Sequence, residues 1–298
     1  TTDPTLDWLS LLISTVGFGS VLYGFSSVGD KGWTDAIVWG TILIGVILIT
    51  ILIWRQNRLE HPFLNFKVFK TPEFALATLL SSVVMIAMVG VELVLPLYLQ
   101  IVHGMSAFHS GLTLLFGAIM MGVMSPITGN LFDRYGARRL AMTGMFILTI
   151  GTLPFAFLTR ETPILDVVFL YAVRMFGISM VMMPVTTSGM NALPFSMISH
   201  GTAVNNTIRQ VASSMGSAIL ISVLTNVTNS QKPVHSLLKA SPLQYKSQMI
   251  DATLNGYHAA FGIAIAFAVI GLLATSRLGN GNKIHAKYDS NAKKGGNA

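Results

Sequence analysis

Long apolar stretches alternate with short polar breaks along the whole chain. Windows of roughly 20 apolar residues, enough to cross about 30 Å of hydrocarbon as a helix, recur eight times. They run near 8–26, 36–54, 74–99, 110–132, 140–158, 164–184, 203–227 and 257–275. Each is continuously apolar, without the period-two alternation of a barrel strand, and about twice as long as one, so the pattern predicts transmembrane helices. The fold class expected is an all-α membrane protein with eight spans. Two polar segments break the rhythm. Val227–Gly256 is long enough for a cap between the last two spans, and Asn280 to Ala298, rich in Asn, Gly and Lys, has little to bury and predicts disorder.

Composition sharpens this picture. Of 298 residues 52% are hydrophobic and 10% charged, with a mean hydropathy of +0.64, whereas soluble domains carry about a quarter charged residues. The 27 Gly and 11 Pro suit helices packed in lipid, where close approaches and kinks are tolerated. The absence of cysteine excludes disulfides, thiolate metal sites and thiol nucleophiles. A net charge of +7 would suggest nucleic acid in a soluble protein, but here its placement matters more. Eight spans put both termini on one side. That side collects thirteen of the nineteen Lys and Arg when Arg209 is counted with it, against five opposite, and Arg174 alone falls within a span. The bias predicts a multi-pass cell-membrane protein with both termini cytoplasmic and no nucleic-acid partner. Thr1–Asp7 has no basic region or cleavage site, so no signal peptide is read, and the chain reads as starting inside something longer.

Negative findings narrow the chemistry. No phosphate-binding Gly-x-x-x-x-Gly-Lys-[Ser/Thr] loop is present, the seven His are scattered without a His-Glu-x-x-His pair, and Gly17-Phe18-Gly19 lies inside an apolar span. Spacing supports no Ser, His and Asp set. The expectation is a protein that is not an enzyme and takes no cofactor or metal.

The informative polar residues sit where hydrocarbon should be. Glu92 lies in the third span, and a carboxylate there must be protonated, paired or facing water. Pro96, four residues on, cannot donate to the carbonyl of residue 92 and should kink the helix beside the acid. The arrangement suits a proton-coupled or cation-binding step; a structural Glu bonded to a neighbouring helix is the alternative. Arg174, in the sixth span, needs an acceptor inside the bundle, either Glu92 or backbone carbonyls. Tyr98 and Gln100 close the third span as candidate substrate contacts or as part of an interfacial aromatic belt. Met120, Met121, Met124, Met175, Met180, Met182 and Met183 are read as cavity lining or as ordinary core. In the seventh span Ala212, Gly216, Ser213 and Ser217 recur at spacing four, which suits close packing.

One connection carries a family resemblance. Gly129-Asn130-Leu131-Phe132-Asp133-Arg134-Tyr135-Gly136-Ala137-Arg138-Arg139-Leu140 joins the fourth and fifth spans: Gly136 permits a sharp turn, Gly129 a close helix contact, and Asp133 can accept from a helix N-terminus or pair with an Arg. A topogenic basic turn is the plain alternative. The stretch resembles the G-x-L-x-D-R-x-G-x-[RK]-[RK] signature of the major facilitator superfamily. With Asp7-Trp8, Gly32-Trp33, Leu95-Pro96-Leu97-Tyr98-Leu99-Gln100 and Ser110-Gly111-Leu112, the chain is similar, up to about residue 277, to the last eight helices of fourteen-span drug:proton antiporters of the EmrB/QacA type, which include lincomycin-resistance permeases.

The resemblance implies a division into two linker helices (1–60), a six-helix half-bundle (61–276) and a disordered basic cytoplasmic tail (277–298). It implies proton-coupled efflux of lipophilic or cationic compounds by alternating access, with small amphipathic substrates, protons and membrane lipid as partners. Glu92 and Arg174 would serve proton coupling. Gly129, Asp133, Arg134, Gly136, Arg138 and Arg139 would form a cytoplasmic gating loop, and Asn205, Asn206 and Arg209 resemble a pattern at the cytoplasmic gate. The six amino-terminal spans of that family do not occur in this chain, which makes the missing half-bundle a further partner. A metabolite facilitator and a non-transporting membrane scaffold are the rival readings.

Overall fold

The computed structural model describes residues 8–59, 62 and 64–278. Nine α-helices are present among them: α1 (Trp8–Lys31), α2 (Ala36–Arg58), α3 (Pro72–Ile101), α4 (Ala107–Tyr135), α5 (Ala137–Thr152), α6 (Ile164–Asn191), α7 (Ile198–Ser230), the short α8 (His235–Ala240) and α9 (Pro242–Thr275). Three 3-10 turns, Phe66–Lys70, Leu153–Phe157 and Phe195–Met197, link them, and no strand occurs among the described residues. All but α8 belong to spans long and apolar enough to cross a membrane.

Local chemistry sets the boundaries. Asp35 starts α2 by accepting from the Ile37 amide at 2.7 Å, and Ser106 starts α4 by accepting from the His109 amide at 3.2 Å. Pro72 and Pro242 begin α3 and α9, where a missing N–H costs nothing. Between α4 and α5 the whole connection is Gly136, at φ 83°, a conformation other residues adopt at a cost.

α3 is the axis of the bundle. Phe74, Leu80, Val84, Val91, Leu95 and Leu99 are fully buried, and α6, α7 and α9 pack around them. α5 closes against α6 and α9, α4 leans chiefly on α6, and the α1–α2 hairpin rests on α7 through α1. Trp33, in the turn of that hairpin, donates to Ser222 Oγ of α7 at 2.6 Å. Phe108, Phe116, Ile119 and Val123 leave one side of α4 bare, as do Leu12, Leu43, Ile47 and Trp54 on the hairpin. Such faces would be unfavourable in water and cost nothing against acyl chains.

The eight spans fall where hydropathy predicts, but their ends do not. α9 begins fifteen residues before the apolar window, so the expected cap Val227–Gly256 is mostly helix: the last turns of α7, α8 and the first turns of α9. Hydropathy reports the stretch inside hydrocarbon, and polar helical turns carrying Gln244, Lys246, Gln248 and Asp251 continue beyond it. The predicted disordered tail lies outside the described residues from position 279 onward.

The connections α2–α3, α4–α5 and α6–α7 share one end of the bundle, the basic end, and the others share the distal end. Distal crosslinks tie the α5–α6 turn to α9. Arg160 pairs with Asp251 at 2.7 Å and also donates to the Ser247 carbonyl, while His258 meets the Leu158 carbonyl.

Candidate functional site

One face of α3 carries polar groups through an apolar bundle. Ser81, Met85, Met88, Glu92 and Pro96 recur at spacings of three and four, which places them on one side of the helix. Burial decreases along this face: Ser81 and Met85 are buried, while Met88, Glu92 and Pro96 are half-buried. Glu92 makes no hydrogen bond or ion pair among the described residues. Pro96 sits inside the helix and leaves the carbonyl of residue 92 without its usual donor.

Arg174 does not pair directly with Glu92. It is 0% exposed between α3, α5 and α6. Its Nε donates to Thr152 Oγ1 at 3.2 Å and one terminal nitrogen donates to the Ala87 carbonyl, bridging three helices. Glu92 and Tyr171 remain within electrostatic reach. Geometrically Arg174 is a strut, and the half-buried acid lies to one side of it.

A second arginine lies deeper than its sequence context suggests. Arg209 is eleven residues into α7, and its terminal nitrogen reaches Met85 Sδ at 3.8 Å, close to the middle of the 30-residue α3. The charge count that assigns it to a connection therefore has one cation fewer. The apolar window 203–227 already encloses this residue, and that was the signal available in the sequence. Asn205, one turn before, donates to Thr78 Oγ1 of α3 at 3.3 Å and is 1% exposed. Asn206 is exposed, in line with Thr202 and Gln210, and half-buried Ser213 continues the row. The result is a polar stripe on a helix otherwise set in apolar surroundings, a feature unsuited to lipid.

The other candidates divide between the two ends. Tyr98 is 0% exposed: its hydroxyl donates to the Thr159 carbonyl at 2.6 Å, lies 3.1 Å from His103 Nε2, and its ring meets Tyr257 edge-on. Burial of the surrounding site holds the His103 imidazole below its ordinary pKa. Gln100 is half-buried and donates to Ser110 Oγ at 3.4 Å, linking α3 to α4. Met175, Met180 and Met182 are core residues. A distal recess of about 520 Å³, lined in part by Arg160, Glu161, Asp251 and His258, is shallow and does not include Glu92.

At the basic end Asp133, Arg134, Arg138 and Arg139 are all exposed, and none has an ion-pair partner among the described residues. Arg134 stacks over Tyr135 at 5.5 Å. Gly129 has room to spare, since an added Cβ would meet Met183 Cε at an ordinary 3.5 Å. The expected close helix contact there is not formed.

Residues 7–217 match the model of the Major Facilitator Superfamily. YcnB, an uncharacterised MFS-type transporter of Bacillus subtilis, is 46% identical over 92% of this chain and 55% of its own length. The lincomycin resistance protein LmrB of Listeria innocua is 39% identical over 92% of this chain and 57% of its own. The multidrug resistance protein Stp of Mycobacterium tuberculosis is 26% identical over 72% and 40%. The chain spans about half the length of the curated relatives it matches. Among solved structures, a bacterial homologue of the human lysosomal transporter Spinster, inward-facing and occupied, superposes with a TM-score of 0.60 at 14% identity, covering 90% of this chain and 65% of that one. That likeness shows the fold. With apolar helices in that arrangement and a family match over more than half its length, the chain belongs to the Major Facilitator Superfamily, whose members are membrane transporters and not enzymes.

Proposed function

We propose that this chain is the carboxy-terminal part of a proton-coupled exporter of lipophilic or cationic compounds, working by alternating access in the cell membrane with its basic end cytoplasmic. The observation that carries the reading is Glu92: a carboxylate half-buried at membrane depth, without an ion-pair partner among the described residues, beside a proline that loosens its own helix. The names of the drug-resistance relatives support the substrate class. In this reading α1 and α2 are linker helices, and α3 to α9 form one half-bundle that rocks against six further helices.

Glu92 alternates between holding a proton and balancing a cationic substrate, and Pro96 gives the helix freedom to reposition it. Arg174 keeps the α3–α5–α6 seam fixed while that happens. The exposed charges around Gly136 are free to engage another bundle, so Asp133 would latch the basic end in one of the two states.

Everted membrane vesicles holding the full-length protein test the central step. Glu92→Gln should abolish substrate-driven proton movement while the protein is still inserted and folded; unchanged proton movement and drug efflux would remove Glu92 from the mechanism. Asp133→Asn should slow turnover with substrate binding intact, and a variant turning over at the normal rate would defeat the latch.

A further inference from the structure

Arg209 is a membrane-depth cation without an oxygen acceptor. Among the described residues its one hydrogen-bond contact is Met85 Sδ, a weak acceptor at 3.8 Å, and its Nε has no partner. Glu92 does not reach it: the acid lies seven residues further along α3, about 10 Å of helix rise. Two other polar atoms in the same seam are unsatisfied. Asn205 Oδ1, one helical turn away on α7, and Ser81 Oγ, between Thr78 and Met85 on α3, belong to side chains 1% and 0% exposed, and neither has a hydrogen-bond partner. A guanidinium at this depth is costly unless an anion or several acceptors compensate. Arg174 has two oxygen acceptors, although one of its terminal nitrogens has no partner, and Arg209 has none.

The open side of Arg209 also has a direction. Thr202, Asn206 and Gln210 are exposed on the α7 stripe, and polar side chains there suit a path containing water better than acyl chains. The planar fork of an arginine fits two oxygens of one oxyanion, and the hydroxyl of Ser81 can donate as well. We propose that Arg209, backed by the Ser81 hydroxyl, is a subsite for the oxyanion head group of an amphipathic substrate. The inference rests on the transport reading and extends its substrate class: the path takes acidic amphipaths, and a molecule bearing both charges spans Arg209 and Glu92.

The test uses the purified full-length protein in nanodiscs of zwitterionic lipid, with empty discs as the blank. Two probes differ in head group alone: 1-pyrenebutyrate and 4-(1-pyrenyl)butyltrimethylammonium. Pyrenebutyrate should bind, Arg209→Gln should weaken it about tenfold or more, and Arg209→Lys should recover part of the loss, with the trimethylammonium probe changed by less than about twofold. Pyrenebutyrate binding no better than to the blank overturns the proposal. Equal weakening of both probes also overturns it, because the arginine would then answer a carboxylate supplied by another helix. The export reading is judged on a different readout, proton movement in Glu92→Gln vesicles, so either idea can fall without the other.

Discussion

Two arginines cross into the apolar part of this bundle, and the seams that hold them differ in kind. On the α3–α6 side Arg174 is wholly enclosed, bonded to a hydroxyl of α5 and a carbonyl of α3. The same seam is closed distally by Tyr98 on the Thr159 carbonyl. On the α3–α7 side Gly216 brings the helices so close that an added Cβ would lie 2.7 Å from Ile86 Cα, yet Arg209 stands half-buried beside them with a sulfur for company. One seam uses two of the three guanidinium nitrogens to hold helices together and leaves the third without a partner. The other keeps polar groups unspent beside an open face. Identical side chains at similar depth thus serve different ends, and the acceptors around them are what distinguish the two.

The largest effect should come from breaking the seam that Arg174 bonds across three helices. Arg174→Ala removes two bonds across three helices and leaves a void the size of the side chain, so we expect a loss of about 3 kcal/mol or more. Arg174→Met, which fills the void without the charge, should cost much less, since it also removes a buried cation. Thermal unfolding in detergent reads both. An Arg174→Ala protein as stable as the parent would show that the bonds in this seam are not what holds α3, α5 and α6.

A smaller effect is expected at the other arginine, and the contrast sharpens the comparison. Arg209→Gln gives up no oxygen-accepted bond and relieves a costly charge, so its stability should stay within about 1 kcal/mol of the parent. A loss as large as that of Arg174→Ala would make Arg209 a second strut and erase the distinction between the seams.

Much of this was legible in the sequence, and what was not has a physical reason. Hydropathy locates all eight spans because crossing hydrocarbon demands a continuous apolar run, and it misplaces the start of α9 because a helix has no need to stop where the hydrocarbon does. Glu92 and Arg174 stand out as charges inside such runs. Their relationship does not, because the acceptors of Arg174, a threonine hydroxyl and a backbone carbonyl, leave no mark in residue chemistry. Arg209 hides for the opposite reason: near the start of a span it reads as a boundary charge although the apolar window encloses it, and α7 lying parallel to α3 with Asn205 against Thr78 fixes its depth. Tyr98, at a span end, reads as an interfacial tyrosine, and only the fold of the α5–α6 turn above it shows that it is enclosed.

The smallest effect concerns pH at the distal closure of the Arg174 seam. His103 lies just beyond the end of α3, 3.1 Å from the Tyr98 hydroxyl, and burial lowers its pKa in the folded protein below the ordinary 6.5. A lowered folded pKa means the unfolded chain binds the proton more readily. Stability from neutral His103 is therefore complete above pH 6.5 and declines as pH falls through the lowered folded value. The site is partly open to solvent, so the shift in melting temperature should be no more than about 1 °C. His103→Gln should flatten that step, and melting curves of the two proteins on either side of neutrality measure it. If both fall equally on acidification, the distal closure takes no part in the response, and the acid-sensitive groups lie elsewhere in the bundle.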